Sequence, residues 1–440
     1  MKTRTLMAAA AATAITAVAA VTVAGTASAA PASAQAPAPT TPVLIRNATV
    51  HTASSAGVLE HTDVLITDGK IAELGHDLKG PAGAEIIDAA GKQVTPGLFG
   101  GFSHLGVEEI GLESTVDDYS LKLGSMRPEF DVTEAFNPES IVLGVGRLGG
   151  ITFAMVLPSA EAGSKGPGGT IIAGQGAMAQ LDGLIDTKTR ALFVDLGGDA
   201  NVLSGGSRAG EFMLLDQAVG EVRSPKSVLP GDQRLLTPAG RQALQGYLSG
   251  TGQVVFDVDR ASDIRKVIAF AQREKVHAVI KGGQEAWRVG PELAAAHIPV
   301  VLNPLDNLPA SFDVVGATLE NAARLNRAGV KIAFSLDDPQ PHNIRKVRQA
   351  AGIAVAHGLP PEAAIAAMTS NPADIFGISS RNGTIARGRP ADLVLWSGDP
   401  LEVTTLAERV FIEGQSEPME SRQTLLRDRY LEKLRAHAAR

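Results

Sequence analysis

Eight short apolar runs, separated by stretches with helical periodicity, constrain the fold of this chain more than any other feature. Each is short enough for one buried strand, and with the helical stretches they occupy a region of about 285 residues, 96–380. The runs cover residues 95–104, 151–158, 169–174, 190–197, 253–259, 277–282, 298–304 and 330–337. Buried strands that alternate with helices predict an α/β fold with a (β/α)8 TIM-like barrel at 96–380, although periodicity alone also allows a doubly wound sheet.

The regions on either side of the barrel show a different pattern, with short alternating strands and tight turns. In residues 43–95, the Asp68-Gly69 pair between DVLIT and KIAEL is typical of a two-residue hairpin turn. Residues 381–415 return to the same pattern in GTIARGRPADLVLW and ERVFIEGQ. We therefore expect a small β-sandwich domain built from both chain ends, with the barrel inserted between its two parts.

The last segment, residues 416–440, is expected to end the chain as a helix. Leu426, Tyr430 and Leu434 recur at a spacing of four residues. This spacing places them on one side of a helix and predicts that this face docks on the body of the protein. The basic outer face is expected to be solvated surface.

The N-terminus has the pattern of an export signal. Lys2 and Arg4 precede an apolar stretch at 6–25, and small-residue cleavage motifs follow it. We expect residues 1–34 to be a cleaved signal peptide, residues 35–42 to be a Pro-rich linker, and the mature protein to be periplasmic or extracellular. After cleavage no segment is expected to remain inserted in a membrane.

Composition excludes several classes of function. A net charge of −7 argues against a nucleic-acid-binding protein, which would carry a basic surface. The chain has no cysteine, which rules out disulfides, a thiolate nucleophile and a cysteine–zinc site. No GxSxG motif occurs, so the familiar serine-hydrolase elbow lacks sequence support.

Five motifs, taken in order, resemble the amidohydrolase superfamily, in particular its imidazolonepropionase-like exported branch. They are VLIRNATVHT with DVLITDGKIAELG, QVTPGLFGGFSHLG, VKIAFSLDD, GLPPEAAIAAMTSNPADIFGI and GTIARGRPADLVLWSGDPLE. The resemblance runs from Val43 to about Gln415. It implies a TIM-like barrel with a metal site at the carboxyl ends of its strands. There, one or two divalent ions lower the pKa of a bound water for attack on an amide-like C–N bond.

Several positions that match the family's metal ligands carry unsuitable residues. Gly100 and Phe102 stand where the family has an Asp and the first His of its HxH motif, and Gly282 stands at a sixth-strand His. The fourth-strand bridging residue falls at Leu192 or Phe193, with Asp195 nearby. The resemblance therefore implies a degenerate metal site.

Three matching positions still carry possible metal donors: His104, Asp257 and Asp337. The resemblance implies that they hold one divalent ion (Mn, Fe or Zn), and the losses leave open that no metal is bound. Asp337 would also be the general base, and His342 in the following loop would contact the substrate or support the site. We expect both Asp337 and His342 to be catalytic.

The predicted function is hydrolysis of a non-peptide C–N bond, an amide or cyclic amide, in a small molecule. An inactive barrel that binds a ligand or an envelope partner is the alternative from another class. Metal-independent acid–base catalysis by Asp257 and Asp337 is a third option. The partner is expected to be a small-molecule substrate, and association into a homo-oligomer stays open.

Overall fold

The computed structural model of the chain describes residues 41–111, 113–121, 123, 125–160, 170–224, 234–306, 308–336 and 338–438. The expected signal peptide and most of the expected linker lie outside these residues. Every helix in the described ranges is too short or too polar to serve as a transmembrane segment.

The described residues form sixteen strands. They are β1 (Val43–His51), β2 (Val58–Thr67), β3 (Lys70–Gly75), β4 (Glu85–Asp88), β5 (Gln93–Pro96), β6 (Leu98–Ser103), β7 (Ile151–Val156), β8 (Ile172–Gln180), β9 (Ile185–Asp195), β10 (Gln253–Val258), β11 (His277–Gly282), β12 (Val300–Leu302), β13 (Ile332–Phe334), β14 (Leu393–Trp396), β15 (Ala407–Ile412) and β16 (Gln415–Ser416).

Ten α-helices accompany these strands in the described residues. They are α1 (Ile141–Arg147), α2 (Arg208–Arg223), α3 (Pro238–Leu248), α4 (Ala261–Glu274), α5 (Gly290–Ala295), α6 (Asn321–Arg327), α7 (Val347–Ala356), α8 (Pro361–Met368), α9 (Ser370–Ile375) and α10 (Arg422–Ala438).

The small sheet draws its strands from both ends of the described chain. Its order is β16-β15-β14-β5-β1-β2-β3, with β4 also paired to β1. The expected hairpin is confirmed: β2 and β3 pair up to Thr67 and Lys70. Asp68 and Gly69 connect them with φ of 50° and 75°, the left-handed values of a two-residue hairpin turn.

The barrel sheet contains β6 to β13 in chain order, which confirms a TIM-like barrel with a separate small sheet. One strand departs from the regular (β/α)8 pattern, because β8 runs antiparallel to both β7 and β9. A tight turn at 181–184, with Gly183 at φ of 101°, joins β8 directly to β9. A four-residue connection has no room for a helix, so the third strand cannot be parallel to the fourth.

The barrel closes between β6 and β13 through side-chain and loop contacts. The amide of Phe102 donates to Oγ of Ser335 at 2.9 Å, and the amide of His104 donates to the carbonyl of Pro339 at 2.8 Å. Gly101, directly before Phe102, has φ of +82°, and a Cβ there would lie 2.7 Å from Oγ of Ser335. This closure distinguishes the fold from an open, doubly wound sheet.

The helices cover the barrel with apolar faces, as the helical spacing predicts. In α4, Ile264, Val267 and Ile268 are buried against the strands. The terminal helix α10 differs from expectation. Leu426 is 39%, Tyr430 59% and Leu434 66% exposed, so the prediction that this face docks on the body is wrong. Spacing shows which residues share a helix face but not whether anything covers it.

A buried polar network joins the barrel to the small sheet. Asp392, just before β14, accepts hydrogen bonds from the hydroxyl of Thr152 in β7 and from the side-chain amide of Asn382. Asn382 also exchanges hydrogen bonds with Gln180 at the end of β8, at 2.8 and 3.1 Å. These contacts fix the orientation of the strands that lead to the barrel mouth.

Candidate active site at the barrel mouth

Three ionisable side chains lie side by side where neighbouring barrel strands end. Asp195 is the last residue of β9, Asp257 lies one residue before the end of β10, and Lys281 lies one residue before the end of β11. Asp257 is the register partner of both Asp195 and Lys281. Residues in register across parallel strands project to the same face, so strand geometry brings the three groups together.

The electrostatics of this cluster give its two carboxyl groups different properties. The ammonium of Lys281 forms an ion pair with Asp257, whose side chain is 35% exposed. Burial, followed by the charge of Asp257, raises the pKa of Asp195 to about 7. Lys281 and a hydrogen bond donated by the amide of Ala160 oppose that rise. Near neutral pH, Asp195 therefore gains and loses a proton readily, a property suited to general acid–base chemistry.

Two cavities open beside the cluster. The larger, about 400 Å³, is lined by Asp195 and Asp257 together with Asp259, Arg260 and Gln284. A smaller one of about 40 Å³ brings Asp195, Asp257 and Lys281 together with Ser159. Both lie at the carboxyl ends of the strands, where active sites of TIM barrels are found.

A third cavity, about 520 Å³, lies at the opposite end of the barrel. Its lining includes Gln253 and His277, the first residues of β10 and β11. The amino ends of barrel strands ordinarily serve stability rather than catalysis. His277 is exposed at this end, at the start of β11 and away from the mouth.

His104, one of the expected metal ligands, lies just beyond β6 and is 3% exposed. Its Nδ1 is 2.9 Å from Oε2 of Glu108, and its Nε2 is 2.9 Å from Oγ of Ser159. The ring stacks on Tyr119 with a centroid distance of 3.7 Å and an interplanar angle of 6°. Both ring nitrogens therefore have hydrogen-bond partners.

The remaining expected site residues follow β13. Asp337 lies outside the described residues. Its neighbour Asp338 accepts hydrogen bonds from the amide of Gln340 and the side chain of Asn343. His342 is exposed on a short 3-10 turn, Pro341–Lys346. The catalytic roles of Asp337 and His342 stay predictions.

Comparison with known proteins agrees with this architecture. A model described as the amidohydrolase family matches residues 259–421. An amidohydrolase structure from Thermotoga maritima MSB8 superposes with a TM-score of 0.74 at 27% identity, covering 85% of this chain and 99% of that one. These matches and the observed fold support assignment of the chain to the amidohydrolase superfamily.

Two characterised relatives extend this likeness across most of the chain. Amidohydrolase tasK of Hapsidospora irregularis is 25% identical over 435 residues, and an adenine deaminase of Rubrobacter xylanophilus is 26% identical over 388 residues. These matches cover 86% and 84% of this chain but 43% and 57% of the relatives. The chain thus spans about half the length of the curated relatives it matches.

Members of the amidohydrolase superfamily generally use divalent metals, so the donors in this chain need testing for fit. Within the ranges that the structure describes, no group of three or more His, Cys, Asp or Glu side chains is placed to hold an ion. His104 would have to give up a hydrogen bond to bind metal, and Asp257 already pairs with Lys281. The described donors do not fit a metal centre, and we derive no chemical step through one.

The sequence alone did not identify the full site. It placed Asp195 near the site without settling its direction, and the structure shows that Asp195 and Lys281 both line the small cavity at the mouth. It missed Glu108 and Ser159 altogether. The four-residue spacing of His104 and Glu108 could have indicated their contact from the sequence. The contact of Ser159 with His104 could not be predicted in this way, because it depends on the pairing of β6 with β7.

Proposed function

We propose that this chain hydrolyses a non-peptide C–N bond, an amide or cyclic amide, in a small molecule bound at the barrel mouth. The observation that carries the proposal is the juxtaposition of Asp195, Asp257 and Lys281 in register at the strand ends, beside a cavity of about 400 Å³. Similarity to the amidohydrolase family supports the reaction class.

The cluster contains an acid that can protonate the leaving nitrogen when a C–N bond is hydrolysed. Nitrogen leaves poorly as an anion, so a proton must reach it as the bond breaks. Asp195, with its pKa raised to about 7 by burial, still carries that proton in part of the molecules near neutral pH. Asp257 pairs with Lys281, which also lines the small cavity, and this positive charge would stabilise negative charge that develops on the carbonyl oxygen of a substrate bound there.

The test is turnover of a panel of N-acyl amines, lactams and cyclic imides, followed by release of amine or carboxylate. We expect Asp195→Asn to lower kcat/KM by about 100-fold or more, because the amide side chain cannot donate and recover a proton in the same way. Asp216→Asn is the matched control, since Asp216 is an exposed carboxylate on α2 whose side chain is 60% accessible. Equal rates for the two variants would contradict the proposal.

The alternative of an inactive binding barrel gives a different result in the same panel. A compound that binds stoichiometrically in calorimetry and is recovered unchanged would support it. The substitutions at Phe102 and Gly282, where the family carries metal ligands, are the observation behind this alternative.

Metal content tests the sequence-based ligand assignment independently of turnover. After dialysis with Mn²⁺, Fe²⁺ or Zn²⁺, elemental analysis would count the ions bound per chain. One ion per chain that is lost in His104→Ala and Asp337→Ala, but kept in Asp216→Asn, would restore the metal mechanism. If no ion binds stoichiometrically after dialysis with any of the three metals, the metal mechanism is contradicted.

Export is the remaining part of the proposal. The charged start, apolar stretch and small-residue motifs within residues 1–34 support removal of a signal peptide. N-terminal sequencing of the protein recovered outside the cytoplasm should begin near residue 30 or 35. Recovery of an intact Met1 in the cytoplasm would contradict export.

A further inference from the structure

Three side chains at the barrel mouth form a continuous hydrogen-bonded line. Oγ of Ser159 lies 2.9 Å from Nε2 of His104, and Nδ1 of the same ring lies 2.9 Å from Oε2 of Glu108. The side chains of His104 and Glu108 are each only 4% exposed. These contacts have the connectivity of an activated nucleophile: a hydroxyl, a base within hydrogen-bond reach, and a carboxylate that orients the base.

The backbone holds this line in place. Ser159 follows β7 and His104 follows β6, and these two strands are paired. The amide of Glu108 donates to the carbonyl of His104 at 3.0 Å, which returns the chain toward the ring. The amide of Ser159 donates to the carbonyl of Tyr119 at 3.0 Å, and the ring of Tyr119 stacks on His104. Rotation of the imidazole is therefore restricted.

The hydroxyl end of the line opens into the candidate active site. Ser159 lines the small cavity together with Asp195, Asp257 and Lys281. Its neighbour Ala160 donates its amide to Asp195. A serine that only anchored a buried histidine would have no reason to face the two carboxyl groups and the ammonium that line this cavity.

We propose that Ser159 is the nucleophile of this chain, with His104 as its base and Glu108 as a positioning residue, so that hydrolysis proceeds through an acyl-enzyme. The inference rests on the proposed function for its substrate class, a small amide. It adds a covalent step to that function. The chain has no GxSxG motif that would indicate a serine nucleophile, and metal-activated water does not require one.

Acylation balances with the groups at the mouth. Oγ of Ser159 forms a bond to the carbonyl carbon and passes its proton to Nε2 of His104. Throughout this step the Nδ1–H group of His104 keeps its proton and donates only a hydrogen bond to Glu108, which stays ionised. As the tetrahedral intermediate collapses, the C–N bond breaks and the nitrogen takes the proton of Asp195. The amine leaves neutral, His104 is positively charged, and Asp195 is a carboxylate.

Deacylation restores every group. Water attacks the acyl carbon and gives a proton to the carboxylate of Asp195. The bond between the carbon and Oγ then breaks, and Ser159 recovers its proton from His104. The net reaction converts an amide and water into a carboxylic acid and an amine.

The first test is covalent labelling of the full chain with a small alkyl fluorophosphonate, read by intact mass and peptide mapping. Attack by Oγ on phosphorus displaces fluoride, so a reactive Ser159 gains one phosphonyl group. We expect one adduct per chain, located on Ser159 and lost in Ser159→Ala. Ser120→Ala is the matched control because Ser120 bridges to Ser159 at the mouth and should leave labelling unchanged. No adduct on Ser159 overturns the proposal.

A conservative change separates catalytic positioning from a structural role. In Glu108→Gln the side chain keeps its shape, but its amide donates to Nδ1 and thereby places the ring proton on Nε2. A ring with that proton cannot accept one from Ser159. We expect the labelling rate to fall by about 100-fold or more with an unchanged melting temperature, whereas an unchanged rate would contradict the role of Glu108.

A thiol at the same position gives an independent measurement. The chain has no cysteine, so Ser159→Cys would contain a single thiol. Beside His104 that thiol should be a thiolate well below pH 8 and react with iodoacetamide at pH 6, while the thiol of Ser120→Cys should not. Equal slow alkylation of both variants would overturn activation by His104.

The proposed hydrolysis of amides and the proposed Ser159 nucleophile can each be contradicted without the other. Amide turnover without an adduct on Ser159 would leave the proposed function standing and remove the nucleophile, since water would then attack directly. An adduct on Ser159 without turnover of any amide would support the nucleophile and remove the proposed substrate class.

Discussion

At the scale of single residues, the barrel mouth shows how position gives one side-chain type two roles. Asp195 and Asp257 are register partners on adjacent strands, and the Lys281 ammonium forms an ion pair with Asp257. Burial makes the charged form of Asp195 costly, and the Asp257 charge adds to that cost. The same side-chain type therefore has a raised pKa at Asp195 and forms an ion pair with Lys281 at Asp257.

The titration of Asp195 can be followed directly by ¹³C NMR of labelled aspartate. In the wild type its midpoint should lie near pH 7. Asp257→Asn removes a negative neighbour and should lower the pKa of Asp195, whereas Lys281→Met removes a positive one and should raise it. Shifts of the same sign in both variants would contradict the electrostatic account.

At the scale of elements, closure of the barrel depends on the close approach of β6 and β13. Gly101 has φ of +82°, and an added Cβ would lie 2.8 Å from the Cα of Ser335 as well as close to its hydroxyl. The backbone of Ser335 cannot move away from an added Cβ as easily as the end of a flexible side chain could. The hydrogen bond from Phe102 to Ser335 depends on this approach.

Gly101→Ala should therefore destabilise the protein by about 2–5 kcal/mol, the sum of left-handed backbone strain and overpacking. Gly205→Ala is the control, because Gly205 has φ of +79° with nothing within 4 Å of its added Cβ. It should lose only the strain contribution, about 1–2 kcal/mol. Urea denaturation of both variants gives the comparison, and equal losses would show that the contact with Ser335 is unimportant.

Much of the fold was predictable because strands and turns leave local signals. The Asp68-Gly69 hairpin and the eight barrel runs were visible in the chain itself. The direction of β8 was not, because a buried run reads alike in either direction and only the short 181–184 connection decides it. The site was harder still, since the meeting of Ser159 with His104 depends on contacts between residues 55 positions apart.

At the scale of the whole molecule, the junction between barrel and small sheet carries a buried acid. Asp392 is 4% exposed, and burial raises its pKa to about 7 despite hydrogen bonds from Asn382 and Thr152 that lower it. In the unfolded chain this carboxyl group has its ordinary pKa, near 3.8. Between these two values the folded protein holds a proton that the unfolded chain has released.

Stability should therefore depend on pH in a defined direction. The contribution of protonated Asp392 is fully present below about pH 4, declines as pH rises, and is lost above about pH 7. Between pH 5 and pH 8 the decline should be on the order of 2–3 kcal/mol. Asp392→Asn should reduce it, whereas Asp216→Asn should not, and urea denaturation at the two pH values provides the measurement. An unchanged decline in Asp392→Asn would contradict this assignment.

The split small sheet has a consequence for biosynthesis. β5 ends at Pro96 and pairs with β1 on one side and with β14, which begins at Leu393, on the other, so about 300 residues must be translated before β5 gains its second partner. At roughly 5–20 residues per second, the ribosome needs about 15–60 s to make them. During that interval β5 presents an unpaired edge, the feature that recruits other strands into aggregates. A nascent chain that stalls before residue 393 therefore has an unpaired strand edge that is open to aggregation, whereas β14 covers that edge in the folded protein.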